Sequence, residues 1–311
     1  MWATSVLADS SVPREKPGEL TAAWLFKIGL LFGTNQFAIV ENRLVANNYR
    51  KMYSLLFGLL FLNVSGCTAV HAFGIAKDFL SPQSLYLALV LAATPEGLAY
   101  PVVSMIYSQR FAKVMNYVHR VNISDDHRRE VEFRCRLFCY FTAFTAAIFT
   151  AKMVFGMYTT EDRFLSTGNI IWAWDIMQIA MSFLGGIQFC TSVLLLQAQI
   201  NELNADVLEA PSNRRCGLFY KTYEDIFSAA VSLNKIYHVP LLALFLASFL
   251  DQILGLNLLI TSRSHWMFIR SIIASVSMLK LCALISVCNS AHCSVSNDIL
   301  ASNIHVRFSI G

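Results

Sequence analysis

The 311-residue sequence contains few charged residues and none of the short motifs typical of common enzymes. Charged residues make up 14 % of the chain, whereas an average soluble domain has about 25 %. Hydrophobic residues make up 56 %, and so few charges could not cover the surface of a soluble protein of this length. The composition therefore predicts a polytopic membrane protein.

The absence of specific motifs excludes further classes. The sequence lacks HExxH, GxSxG, GxxxxGKS/T and GxGxxG, so nothing indicates an enzyme or a bound cofactor. Lys and Arg do not cluster with aromatic residues, and the formal net charge is only +4, so we expect no nucleic-acid partner. The eight cysteines form no CxxC pair, so we expect neither disulfides nor a metal site.

Long apolar runs predict an all-α fold, a bundle of transmembrane helices with six spans in this chain. In the second span, Pro95, Gly97 and Pro101 are expected to break the helix. Residues 22–40 are shorter and more polar, and we expect an interfacial or re-entrant helix there. The alternative is a marginal span, which would reverse the predicted membrane orientation of every later span. The six predicted spans cover residues 53–73, 85–106, 137–158, 170–196, 240–260 and 266–287.

The distribution of Lys and Arg predicts a cytoplasmic N-terminus, because most of them lie in the N-terminal segment and in the connections on the same side. The expected division has three parts. Residues 1–52 are a cytoplasmic or interfacial segment, and residues 53–290 form the transmembrane bundle. Residues 291–311 are a cytoplasmic tail. The bundle is expected to carry cytoplasmic helical extensions at about 107–136 and 199–239.

The stretch from 222 to 260 changes character along its length. In its first half, apolar residues recur at steps of three and four, which places them on one face of a helix. After Pro240 the polar face vanishes, which is typical of a helix that is buried or faces lipid. We predict one continuous helix that passes from water into the membrane. The alternative is two helices broken at Pro240. The stripe consists of Tyr223, Ile226, Ala230, Leu233 and Tyr237.

Five ionisable residues fall at membrane depth, where a charge is costly and usually paired or functional. With a rise of about 1.5 Å per residue, Lys152 and Asp175 reach the same depth. Glu96 and Lys280 match less closely, but a lysine side chain is long enough to bridge the difference. We therefore expect two intramembrane ion pairs, Lys152 with Asp175 and Glu96 with Lys280. Asp251 remains near mid-membrane.

The alternative for Lys152 and Asp175 is that they border a small-molecule pocket open to the outside. Aromatic side chains beside a few polar groups suit such a pocket, although Trp and Tyr also anchor proteins at membrane interfaces. Both interpretations stay open. The candidate ligand-binding residues are Lys152, Phe155, Tyr158, Trp172, Trp174, Asp175, Asp251 and Gln252.

The sequence resembles the insect gustatory receptors, which belong to the arthropod chemoreceptors, along essentially the whole chain. The stretch LFKIGLLFGTNQF precedes the first span, and QAQINELNADV ends the fourth. Tyr223, Asn234, Tyr237 and the leucine pair Leu241 and Leu242 lie before or within the start of the fifth. The inverted topology, with the N-terminus inside, also matches the family.

The resemblance implies a seven-helix subunit of a tetrameric, ligand-gated cation channel in the plasma membrane. Its partners would be a small-molecule tastant, membrane lipid and other gustatory receptor subunits, in a homo- or hetero-tetramer. The family's inner helical extensions form a cytoplasmic anchor domain, and its seventh helix lines the pore and carries Thr-Tyr…Gln-Phe. No seventh apolar run follows residue 291, so we expect a truncated gene product or a fragment.

Two other functions remain open. A secondary transporter could use the second span, with its prolines and the buried Glu96, to handle substrate or protons, but the sequence shows no internal repeat. A non-conducting truncated receptor subunit could instead modify a full-length partner.

Overall fold

The chain folds into a helical bundle with one short β-hairpin near its start. The computed structural model describes residues 22–75, 82–120, 123–159, 164–209, 213–261, 278–279 and 281–291. The predicted α-helical class is confirmed, and the hairpin is an addition to it. The elements follow the chain as α1 (Ala23–Leu31), β1 (Phe37–Val40), β2 (Arg43–Ala46), α2 (Asn48–Ile75), α3 (Pro82–Ile106), α4 (Ser108–His119), α5 (Asp125–Thr159), α6 (Phe164–Glu209), α7 (Asn213–Thr261) and α8 (Leu281–Ala291).

Within the described residues, three helical stretches are long and apolar enough to cross a membrane. They are Asn48–Val70 in α2, Ala180–Asp206 in α6 and Phe219–Leu250 in α7. The predicted spans at 85–106 and 137–158 lie within α3 and α5. The predicted span at 266–287 lies largely outside the described residues, and α8 covers its last part. The long helices thus coincide with the first five predicted spans.

The predicted helix over residues 22–40 is wrong beyond Leu31. Its α-helical part, α1, has nine residues and a length of about 14 Å, well short of a bilayer core of about 30 Å. Gly33 follows with a φ of +65°, a conformation that glycine adopts without steric cost. Thr34 Oγ1 then donates to the Gly29 carbonyl at 3.0 Å, and Asn35 Nδ2 donates to the Phe26 carbonyl. These bonds fold the chain back on itself.

The strands that replace the rest of that helix form an antiparallel hairpin. Phe37 pairs with Ala46, and Val40 pairs with Arg43. The two turn residues, Glu41 and Asn42, both have positive φ, as a two-residue type I′ turn requires. We call this end of the molecule, where the hairpin packs against α4, the hairpin end.

Aromatic packing fixes the hairpin on the bundle. The buried ring of Phe37 stacks on Phe111 of α4, with ring centroids 5.1 Å apart. Gln36, also buried, donates to the Pro101 carbonyl at 2.9 Å and to Ser104 Oγ at 3.0 Å. The hairpin is therefore held against α3 and α4 by both apolar and polar contacts.

The expected break in the second span is absent, because α3 is a single helix that contains both Pro95 and Pro101. Prolines are tolerated in membrane helices where neighbouring groups satisfy the backbone. Gly97 serves close packing, since a Cβ there would lie 3.0 Å from the buried ring of Phe61 in α2. The glycine thus brings α2 and α3 together.

The predicted continuity of the long helix through Pro240 is confirmed. α7 runs unbroken with Pro240 inside it. Ile226, Leu233 and Tyr237 of the predicted stripe are buried, and Tyr223 and Ala230 are partly buried against the same core. Because α7 packs against α3, α4 and α6, it joins the hairpin end to the membrane-spanning part of the bundle.

Candidate functional site

Most of the predicted ligand-binding side chains lie outside the part of the structure that is described. The backbone places Lys152, Phe155 and Tyr158 in α5, and it places Asp251 in α7. Trp172, Trp174 and Asp175 lie in α6. Their side chains are outside the described part, and so is Lys280. Gln252, in α7, has a partly buried side chain.

Glu96 is the predicted intramembrane charge that the structure describes most fully. Its side chain, in α3, is buried. Gln178 Nε2 of α6 donates to its carboxylate at 3.2 Å, and Ser182 Oγ of α6 donates as well. The proposed partner Lys280 lies outside the described residues, so the Glu96–Lys280 pair stays a prediction. The described donors to Glu96 belong to α6.

The surroundings of Glu96 explain why it needs these donors. A cluster of buried apolar side chains, formed by Phe61 of α2, Ala93 of α3 and Met181 of α6, lies beside this part of α3 and α6. A carboxylate removed from water is costly unless hydrogen bonds compensate it. The neutral amide and hydroxyl supply that compensation and tie α3 to α6. The same carboxylate oxygens can also accept a hydrogen bond from an amine or hydroxyl of a ligand.

The register of α6 connects this cluster to the predicted pocket. Asp175, Gln178 and Ser182 are spaced by three and four residues, which puts them on one face of the helix. Asp175 therefore lies about one turn from Gln178, or about 4.5 Å along the axis. Gln178 and Ser182 were missed from the sequence, and their spacing from Asp175 was the signal that could have found them.

A second polar layer lies one turn further along α3. The Tyr100 hydroxyl donates to Gln188 Oε1 of α6. The Tyr100 ring stacks on Tyr237 of α7 with centroids 5.6 Å apart, and Tyr237 packs against Phe189 at 5.1 Å. All three aromatic rings are buried. This layer joins α3, α6 and α7 into one unit between the Glu96 cluster and the hairpin end.

Metal-ligating groups do not gather in the described part of the chain. No set of three or more His, Cys, Asp or Glu side chains among those residues is arranged to hold a metal ion. The polar groups that do come together, Glu96 with Gln178 and Ser182, are joined by hydrogen bonds between α3 and α6.

One protein-family model matches most of the chain. A family model described as "7tm Chemosensory receptor" matches residues 24–299. No curated protein matches the sequence significantly.

Two of the solved structures that share the fold are of one receptor. One is the insect olfactory receptor OR5 from Machilis hrabei in complex with eugenol, with a TM-score of 0.68 over 85 % of this chain and 78 % of that one. The other is a structure of the insect olfactory receptor OR5 from Machilis hrabei, with a TM-score of 0.62 over 91 % of this chain and 86 % of that one. Each is 15 % identical in sequence to this chain, so the likeness is one of fold.

Proposed function

The chain belongs to the 7tm chemosensory receptor family, and from this premise we propose that it is a gustatory receptor subunit that senses small-molecule tastants outside the cell. In this proposal, the subunit assembles with copies of itself or with other gustatory receptor subunits into a tetrameric, ligand-gated cation channel. The channel lies in the plasma membrane, with the hairpin end and the N-terminus in the cytoplasm.

The choice of taste over smell rests on the sequence resemblance to gustatory receptors. Part of that resemblance is the stretch LFKIGLLFGTNQF, whose polar residues Thr34, Asn35 and Gln36 are buried. Gln36 and Asn35 hold the turn after α1 and attach it to α3. Their burial and hydrogen bonds thus explain why polar residues occur in this stretch of the resemblance.

The observation that carries the ligand-sensing part is the buried Glu96 carboxylate with its α6 donors Gln178 and Ser182. Polar groups at this depth in an apolar bundle are costly and mark functional sites. Asp175 lies one turn away on the same face of α6. We therefore place the tastant between α3, α5 and α6, with the Glu96 cluster at the base of the pocket. The proposed pocket residues are Lys152, Phe155, Tyr158, Trp172, Trp174 and Asp175, with Asp251 and Gln252 contributed by α7.

Binding can be tested on the purified full chain in lipid nanodiscs. Trp172 and Trp174 serve as reporters, and we expect saturable quenching of tryptophan fluorescence by non-volatile tastants such as a sugar or a bitter alkaloid. Asp175→Asn should weaken that binding about tenfold or more, because it removes a charged hydrogen-bonding partner. Asp206→Asn is the matched control, since Asp206 is exposed on the same helix far from the proposed pocket.

The outcomes separate the parts of the proposal. Saturable binding of a volatile odorant with none of the tastants would move the assignment from taste to smell. If Asp175→Asn and Asp206→Asn weakened binding equally, Asp175 would not line the pocket. Binding without an inward cation current, in cells that also express full gustatory partner subunits, would contradict the channel function alone.

A further inference from the structure

Two arginines come together at the hairpin end. Arg43 is the first residue of β2, and Arg120 is the C-cap residue of α4. Between them, Asn116 of α4 forms two hydrogen bonds of 2.7 Å with the backbone of Leu44. Leu44 follows Arg43 directly, and Arg120 lies one helical turn beyond Asn116. The Asn116–Leu44 contact therefore places Arg43 and Arg120 on adjoining elements at the hairpin end.

Neither arginine forms an ion pair among the ion pairs of the described residues. Arg43 is exposed and Arg120 is partly buried. The Nε atom of Arg120 is buried and has no hydrogen-bond partner among the described residues. Burial lowers the pKa of Arg120, and so does the nearby charge of Arg43. Two such groups repel each other unless an anion lies between or beside them.

The nearest acidic residues in the sequence do not supply that anion. Glu41 precedes Arg43 across the hairpin turn, and Asp125 and Asp126 begin α5 shortly after Arg120. All three are exposed. None forms an ion pair with either arginine among the ion pairs of the described residues. Glu41, Asp125 and Asp126 thus leave both guanidinium groups open to an external anion.

We propose that Arg43 and Arg120 form a binding site for a phosphate-bearing anion. Guanidinium groups are planar forks that bind phosphate oxygens through paired hydrogen bonds. The buried, unpartnered Nε of Arg120 supplies a donor already removed from water. β2 lies just before Asn48, where the first candidate span begins. Both a lipid headgroup and a soluble phosphate compound can therefore reach the site.

The test measures the thermal unfolding of the full chain in nanodiscs made only of phosphatidylcholine. Sodium tripolyphosphate is the soluble probe, with ionic strength matched by NaCl. We expect it to raise the melting temperature saturably, because a ligand that binds only the folded state stabilises it. Arg43→Gln should weaken the apparent affinity about tenfold or more, since it removes a charged hydrogen-bonding group. Arg120→Gln should do the same.

The matched control is Lys113→Gln, which removes one exposed positive charge from the same helix. It should leave the affinity for tripolyphosphate within about twofold, because it lies outside the arginine pair and changes only the screened long-range field. A second arm replaces part of the phosphatidylcholine with phosphatidylinositol 4-phosphate and omits tripolyphosphate. Stabilisation in the first arm identifies a soluble phosphate compound, and stabilisation in the second alone identifies a lipid headgroup.

The melting temperature measured without any phosphate compound shows whether the arginines serve to bind an anion or to stabilise the end of α4. If the arginines repel each other without a ligand, Arg43→Gln should leave the melting temperature unchanged or raise it when no phosphate is present. The proposal is overturned if neither phosphate source shifts the melting temperature. It is equally overturned if Lys113→Gln weakens binding as much as Arg43→Gln, because non-specific attraction would then account for the effect.

Discussion

Asn116 of α4 binds the backbone of Leu44 in β2 as a third strand would. The Leu44 N–H donates to Asn116 Oδ1, and Asn116 Nδ2 donates to the Leu44 carbonyl, both at 2.7 Å. One carboxamide thus satisfies both backbone groups of a residue whose own side chain is buried. The contact fixes the hairpin on α4 and, through the α4 contacts with α6 and α7, on the bundle.

Replacing Asn116 with Ala should therefore destabilise the folded chain. The loss leaves two part-buried backbone groups without these partners, which costs about 1–3 kcal/mol. The measurement is the melting temperature of the purified protein followed by size-exclusion chromatography. Asn201→Ala on the exposed face of α6 is the control and should change stability by less than about 0.5 kcal/mol. Equal melting temperatures for the two variants would show that the hairpin does not depend on Asn116.

A second prediction concerns Glu96 and Gln178. Gln178→Leu removes a donor from a buried carboxylate and should cost about 1–3 kcal/mol of stability. Glu96→Leu should cost a similar amount, because it leaves the α6 donors facing an apolar group. The double variant should lose clearly less than the sum, since the two residues share one interaction. Thermal unfolding of all four proteins measures the cycle, and strictly additive losses would mean that the hydrogen bond contributes nothing.

The long helices could be predicted because their signals are local. An apolar run of sufficient length identifies each span, and the spacing of Ile226, Leu233 and Tyr237 gave the buried face of α7. The unbroken course of α3 could not be predicted from Pro95 and Pro101, because the groups that satisfy the backbone around a proline come from other segments. Gln36, far earlier in the chain, donates to the Pro101 carbonyl and shows how distant segments contact this part of α3.

The hairpin and the partners of Glu96 were missed for a related reason. The strands are only four residues each, too short for a periodic signal, and their docking depends on Asn116 about seventy residues away. For Glu96, depth along a helix follows from residue counting, but the direction of a side chain around the axis does not. Depth matching pointed to Lys280, which lies outside the described residues, whereas the donors Gln178 and Ser182 lie on α6.

The orientation of the chain gives a third prediction. Because Lys and Arg are concentrated on the side of the N-terminal segment, we expect that side to face the cytoplasm. An epitope tag inserted after Ser5 should be labelled only after the cells are permeabilised. A tag in the connection between α5 and α6 provides the control and should be labelled on intact cells. The reverse labelling pattern would mean that the whole bundle has the opposite orientation in the membrane.

The last prediction is that Lys152 of α5 and Asp175 of α6 form an ion pair. The two helices pack against each other, which is a requirement for the pair, and both residues fall at the same predicted depth. Removing one partner leaves a buried charge, which typically costs about 3–5 kcal/mol. Lys152→Met or Asp175→Asn alone should therefore reduce the amount of protein at the cell surface.

Removing both charges should cost much less than the sum of the single losses, so the double variant should recover part of the surface expression. Surface biotinylation of the four proteins measures this cycle. Losses that add would show that the two residues are not paired. Asp175 of α6 would then be available to a ligand, and because it lies one turn from Gln178, which donates to the buried Glu96 of α3, α3 and α6 would each present a carboxylate to the pocket. A pocket of that charge would favour tastants with a positively charged amine, which the fluorescence assay can test directly.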